Sequence, residues 1–209
     1  MKKHKTLILI LLIMLIGSFI SYPYLPDSIP AHWNGAGEID EWMGRWFIFF
    51  PIILTVLCGG LFELLKRIDP KRSNFQRFIK SYERFQIMIT LFLFCLWCIT
   101  LVAGFQPHLV NIKTILSCLI GCLFIYLGNI MPKIKSNYTF GIRTPWTLAS
   151  DAVWYRTHRF AGRIWFYGGF LFLLNLVLPA SFTMLFLICW GALLGVIPCL
   201  YSYLIYRNL

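Results

Sequence analysis

The sequence predicts an all-α integral membrane protein of six transmembrane helices. Both termini lie on the cytoplasmic side, with an ordered outer loop after helix 1 and a basic inner loop between helices 4 and 5. Three observations predict this. Hydrophobic residues make up 59% of the chain and the mean hydropathy is +0.72, outside the usual soluble mix. Of the 19 Lys and Arg residues, all but Arg45 and Lys113 fall in four patches: Lys2 to Lys5, Lys66 to Arg84, Lys133 to Arg163, and Arg207. Two long apolar stretches separate each patch from the next, so successive patches return to one side, as the positive-inside rule requires.

The six spans, in order, are Thr6–Ser21, Trp46–Leu65, Gln86–Phe105, Ile112–Met131, Ile164–Leu178 and Phe182–Tyr206. A hydrocarbon core about 30 Å thick asks for roughly 20 helical residues; the first and fifth stretches are shorter. The first follows Lys2, Lys3 and Lys5 but leads into Ser21-Tyr22-Pro23-Tyr24 without a small-x-small cleavage pattern, which predicts an uncleaved signal anchor. Trp42 and Trp46 flank the second span and Trp154 and Trp165 the fifth, where interfacial aromatic belts are expected.

The outer segment after the first span carries Asp27, Glu38, Asp40 and Glu41 and is acidic. Pro23, Pro26 and Pro30 fix φ and favour extended backbone. Asn34-Gly35 and Gly37 tolerate positive φ and predict a tight turn after Trp33. This is the composition of an ordered cap. Pro30, His32, Trp33, Asn34, Gly37 and Asp40 are its candidate ligand-contacting residues, set against the plainer role of hydrogen-bonding the turn. His32 with Asp40 or Glu38 makes half a metal site; no third ligand is evident, and no metal is assigned.

In the inner loop, Gly141 and Thr144-Pro145 argue against helix. Ser150 or Asp151 then caps a new helix, with Asp151 suited to its dipole. Arg156, Arg159 and Arg163 recur at helical spacing on one stripe and Trp154, His158, Ala161 and Trp165 on another. That is an interfacial helix feeding the fifth span. Arg143, Thr144, Pro145, Trp146, Asp151, Trp154, His158 and Arg159 are candidates for binding a partner or a lipid headgroup through guanidinium contacts. The competing structural reading pairs Arg143 with Asp151 to pin the loop. A catalytic His158–Asp151 couple lacks a nucleophile.

Other classes are argued down by composition. A net charge of +11 would suggest nucleic acid in a soluble protein, but it sits beside the spans, where anionic inner-leaflet lipids are the natural partner, and no nucleic-acid module accompanies it. All seven cysteines fall inside predicted spans, and Cys95-x-x-Cys98 has no second pair at metal spacing, so they read as small apolar packing residues. Apart from Glu63 and Lys113 near span ends, no Asp, Glu, Lys, Arg or His interrupts a span, unlike most pumps and ion-coupled carriers. No cofactor is implied.

The outer Ile29-Pro30-Ala31-His32-Trp33-Asn34-Gly35-Ala36-Gly37-Glu38-Ile39-Asp40 resembles the DUF1648-type segment at the N-terminus of many SdpI-like proteins. The inner Gly141-Ile142-Arg143-Thr144-Pro145-Trp146-Thr147-Leu148, with Asp151, Val153-Trp154 and His158-Arg159-Phe160-Ala161-Gly162, resembles the SdpI signature. The resemblance divides the chain into residues 1–65, two spans with the cap, and residues 66–209, four spans with the signature loop. It implies a bacterial immunity protein of the cell membrane that resists a secreted peptide toxin. It further implies a receptor that sequesters a cytoplasmic transcriptional repressor at the membrane. The alternatives are a membrane-embedded enzyme acting on lipid or peptide at the inner face, and a carrier or flippase-like exporter.

Overall fold

Seven α-helices and one β-hairpin make up the fold in the computed structural model, which describes residues 2–209. The order is α1 (Lys2–Ser21), β1 (Ser28–Trp33), β2 (Ile39–Gly44), α2 (Phe50–Ile68), α3 (Arg72–Phe105), α4 (Ile112–Ile130), α5 (Pro145–Ala149), α6 (Asp151–Phe172) and α7 (Ala180–Arg207). Among the described residues, five helical segments are long and apolar enough to cross a membrane: Lys3–Tyr24, Arg45–Ile68, Arg72–Phe105, Ile112–Lys133 and Ser181–Arg207. The fifth expected span, Ile164–Leu178, is not a separate helix. Its first nine residues end α6, and a 3₁₀ turn, Leu173–Leu176, follows. The charge-free part of α6 rises only about 14 Å, because Arg156, Arg159 and Arg163 occupy the turns before it.

The chain forms two compact units. Residues up to Phe62 together with Glu83–Leu116 form the first. Its core gathers Ile10 and Met14 of α1, Leu25, Ile29 of β1, Ile48, Ile52 of α2 and Trp97 of α3. Gly17 lies under the Trp97 ring, where an added Cβ would sit 2.7 Å from Cη2, and the Trp97 indole N–H donates to Ser18 Oγ at 2.9 Å. Lys3, 8% exposed, donates to Gln86 Oε1 at 2.9 Å and lies 3.7 Å from Glu83. A buried ammonium needs such partners.

The second unit holds Glu63–Tyr82 and Ser117–Leu209. Here α4 and α6 meet through glycines spaced seven apart on both helices. A Cβ added at Gly128 would lie 2.3 Å from Phe166 N and 2.6 Å from Gly162 O; one added at Gly169 would lie 2.6 Å from Gly121 O. Only residues without a side chain permit such backbone approach, the usual device of membrane helix pairs. Reciprocal indole bonds tie α6 to α7: Trp165 Nε1–H donates to Leu194 O at 2.8 Å and Trp190 Nε1–H to Gly168 O at 2.8 Å. Leu194 O is the carbonyl that Pro198, four residues on and lacking an N–H, leaves without its helical donor. The belt expectation fails for Trp154, which is 2% exposed, while Trp42 and Trp46 do stay exposed, at 50% and 55%.

Candidate functional site

Two ordered loops carry the candidate residues, one in each unit. The first is the hairpin. Strands β1 and β2 pair antiparallel, with Ile29 opposite Met43, Pro30 opposite Trp42, and irregular register around His32. The prolines do not keep the whole approach extended: Tyr22–Tyr24 is a 3₁₀ turn with Pro23 in its first turn, and extended backbone begins at Leu25. Ile29 is fully buried, and with Leu25 it rests on Gly104 of α3, where a Cβ would meet Leu25 Cδ2 at 2.8 Å. An apolar root thus holds a polar tip.

The tip is wound around Asn34. Its Oδ1 accepts from Ala36 N at 2.9 Å and Glu38 N at 3.0 Å, and its Nδ2 donates to Glu38 Oε2 at 3.0 Å. Gly37 takes φ +88°, as the turn demands. His32 Nδ1 lies 2.6 Å from Asp40 Oδ1, both side chains being largely in solvent, at 62% and 43%. Arg45 closes the base, 2.7 Å from Asp27 and 5.5 Å over the Tyr22 ring. Of the predicted residues, Pro30 is buried, Trp33, Asn34 and Gly37 are half-buried, and His32 and Asp40 are exposed. The exposed surface is therefore acidic and aromatic: Glu38, Asp40, Glu41 and Trp42.

The second loop runs from Lys133 to Ser150 and is organised by three buried side chains. Asn137, fully buried, bridges its own loop: Nδ2 donates to Lys135 O and Phe140 O, each at 2.8 Å, and Oδ1 accepts from Thr139 N at 2.9 Å and Phe140 N at 2.6 Å. Asp69, 1% exposed, accepts from Tyr138 N at 2.9 Å, Thr139 Oγ1 at 2.8 Å and Lys71 N at 2.8 Å. His158, 1% exposed, accepts from Ile142 N at Nε2 (3.0 Å), which requires the Nδ1–H tautomer donating to Trp154 O at 2.9 Å. Burial pulls its pKa down to about 4, so the ring is neutral, stacked on Trp154 at 4.1 Å. Gly141, at φ +113°, passes so close that a Cβ would lie 2.5 Å from His158 Nε2.

Beyond Gly141, Thr144 caps α5 in a capping box with Thr147, a single helical turn where the sequence suggested none. Pro145 suits its first position because no N–H is needed there. Thr144 Oγ1 also meets Ser202 Oγ of α7 at 2.9 Å, and Trp146 packs on Tyr203 at 5.0 Å. Ser150 caps α6 through Val153 N at 3.4 Å. Arg143 does not pair with Asp151. Its guanidinium donates to Tyr138 O at 2.9 Å, while Asp151, 77% exposed, lies 3.7 Å from Lys71; Lys71 also donates to Ser136 Oγ at 2.7 Å. The basic cluster before α3 offered the nearer cation.

Of the inner candidates, Thr144, Trp154 and His158 are buried, Trp146 is half-buried, and Arg143, Pro145, Asp151 and Arg159 are exposed. Both ring nitrogens of His158 are engaged with backbone, so it does not act as a base toward Asp151. Sequence reasoning missed Asp69, Lys71, Ser136, Asn137, Thr147 and Ser202; Asp69 alone had a signal, as the one carboxylate between Glu63 and Glu83 in a run of cations.

Comparison with known proteins covers both loops. The SdpI/YfhL protein family model matches residues 133–202, and that of a domain of unknown function, DUF1648, matches residues 9–56. The chain is 28% identical to "Immunity protein SdpI" of Bacillus subtilis (strain 168) over 209 residues, 100% of this chain and 98% of that protein. No solved structure matches.

Proposed function

We propose that this chain, which belongs to the SdpI family, is a multi-pass immunity protein of the bacterial cell membrane that resists a secreted peptide toxin. The observation that carries the reading is the end-to-end similarity to a protein named for immunity, with an ordered loop inside each matched region. In this reading the distribution of Lys and Arg sets six crossings with both termini inside, the end of α6 and its 3₁₀ turn completing a short fifth crossing. The hairpin then faces outward and meets the toxin. Its tip is preorganised by Asn34, which lowers the ordering cost of binding. Trp33, His32 and Asp40 contribute contact area and charge, with Asn34, Gly37 and Pro30 holding their shape.

The loop from Lys133 to Ser150 faces the cytoplasm. Arg143, Pro145, Trp146, Asp151 and Arg159 form its accessible surface, and Thr144, Trp154 and His158 set the backbone beneath. That surface is the candidate dock for a cytoplasmic transcriptional repressor or for lipid headgroups. The testing experiment is survival of a sensitive bacterium expressing the chain and exposed to toxin-producer supernatants. Wild-type expression protects, and Trp33→Ala with Asp40→Ala reduces protection at equal membrane abundance. A buried interfacial Trp typically carries about 2 kcal/mol or more of binding, so Trp33→Ala costs most. Full protection by the well-expressed double variant removes the hairpin from the mechanism.

A further inference from the structure

The face of α6 and α7 holds a feature to which the proposed immunity function gives no role. An apolar cleft of about 660 Å³ runs between the end of α6 and the middle of α7, floored by Leu171, Leu174, Trp190 and Leu193. A second hollow of about 410 Å³ shares Leu171 and Leu193 with it and extends along α6 to Tyr167 and Arg163. The two form one groove with a single charged residue at its mouth. Arg163 is exposed and makes no hydrogen bond or ion pair among the described residues. From Ser117 to Leu209 the only carboxylate is Asp151, which faces Lys71. Tyr167, 69% exposed, stands one turn along from Arg163 with its hydroxyl available.

Dimensions decide what fits. From Arg163 to Leu174 is eleven residues, a rise of about 16 Å along the helix. Half of a hydrocarbon core about 30 Å thick is about 15 Å. A cation placed at the interface therefore has beneath it an apolar groove one leaflet deep. An unpaired guanidinium binds a phosphate through parallel N–H donors, and at the inner leaflet the prevailing anions are lipids. We propose that the α6–α7 groove is a binding site for one anionic phospholipid, its phosphate on Arg163 with the Tyr167 hydroxyl beside it and an acyl chain along Leu171 and Leu193 to Leu174. The site rests on the multi-pass reading and not on toxin resistance; a protein that fails to protect cells still tests it.

The experiment is native mass spectrometry of the purified full chain released from micelles doped with phosphatidylglycerol or with phosphatidylcholine of the same acyl chains. Wild type retains phosphatidylglycerol roughly five-fold better, the order expected of one interfacial cation. Arg163→Gln abolishes the preference, whereas Arg156→Gln, at another exposed arginine that lines no part of the groove, preserves it. Leu193→Trp fills the groove and weakens both lipids, and glycerol 3-phosphate, a headgroup without chains, does not compete. Equal retention of the two lipids by wild type, an unchanged preference in Arg163→Gln, or competition by glycerol 3-phosphate overturns the proposal. So does a dimer that Leu193→Trp dissociates without any lipid dependence, which would seat a second copy in the groove.

Discussion

Trp165→Phe tests the tie between α6 and α7 at a single carbonyl. The substitution keeps an aromatic ring against Phe124, whose centroid lies 5.5 Å from that of Trp165, but removes the N–H that reaches Leu194 O at 2.8 Å. In an ordinary helix Leu194 O would still have the N–H of residue 198, but that residue is Pro198, inside α7. Interhelical hydrogen bonds within membranes average about 0.6 kcal/mol and reach about 1.7. The average reflects groups that find another partner; here proline removes the nearest one, and Leu194 is only 4% exposed. The loss therefore falls near the upper value, about 1.5 kcal/mol. Pro198→Ala restores an in-helix donor, so Trp165→Phe in that background costs less by about 1 kcal/mol. The assay is reversible unfolding in mixed micelles, followed by far-UV circular dichroism, for the four proteins of the cycle. Equal cost of Trp165→Phe in both backgrounds refutes the reasoning, because the indole would then not be substituting for the missing amide.

Further outcomes follow from other contacts. His158 has a folded pKa near 4 against an ordinary 6.5, so its contribution is fully present above about 6.5 and is lost as pH falls through about 4. The shift corresponds to about 3 kcal/mol, read as the pH-dependent stability difference between wild type and His158→Gln; identical pH profiles exclude it. Gly128→Ala forces α4 away from Phe166 N and lowers membrane abundance sharply, while Gly59→Ala and Gly60→Ala, whose added Cβ atoms meet nothing within 4 Å, leave it unchanged; immunoblots of membrane fractions compare them. Asp69→Ala frees Tyr138 N and Thr139 Oγ1 and costs about 1.5–3 kcal/mol, the scale of hydrogen bonds to a charged group. Limited proteolysis then cuts between Lys133 and Arg143 faster than in wild type. A periplasm-active reporter fused after Leu209 stays silent, and an active fusion overturns the cytoplasmic C-terminus.

Much of this was legible in the sequence where one physical rule acts locally. Apolar length marked five helices long enough to cross a membrane, but not that α3 begins at Arg72 or that Ile164–Phe172 continues α6. Asn34 and Gly37 announced the turn after Trp33, and the 3.6 period placed Trp154, His158 and Ala161 on one buried stripe that continues to the half-buried Trp165. The β-pairing was not legible. Pro30 weakens a strand signal, and Ile39-Asp40-Glu41-Trp42-Met43-Gly44 alternates too poorly to declare its partner. The role of Asp69 was hidden for another reason: the amide and the hydroxyl it serves, Tyr138 N and Thr139 Oγ1, lie 69 and 70 positions away, and standing alone among cations does not mark a carboxylate as buried. The glycine pairs were readable and overlooked, since Gly121 and Gly128 on one helix and Gly162 and Gly169 on the other share a spacing of two turns.

The way the two loops are held determines how any map of function must be read. All seven cysteines are free, so a disulfide holds neither loop. Irregular backbone that is buried must have its N–H and C=O groups satisfied, and in both loops an asparagine does this, Asn34 in the hairpin and Asn137 in the basic loop. Asp69, His158 and Thr147 extend the network, Thr147 Oγ1 donating to Ile142 O at 2.9 Å. Removing such a group moves the exposed Arg143 or Asp151 without touching either. A loss of protection in Asn137→Ala or His158→Ala therefore says nothing about contact with a partner unless it exceeds the loss of folded protein. Arg143 separates the two cases, because among the described residues its hydrogen bond is to the carbonyl of Tyr138, an exposed residue. Arg143→Lys keeps the charge and discards the planar fork. If Arg143 grips a carboxylate or phosphate on a partner, repressor capture falls while abundance holds. If it only braces Tyr138, capture per molecule is unchanged, and the accessible face of the loop is not a dock.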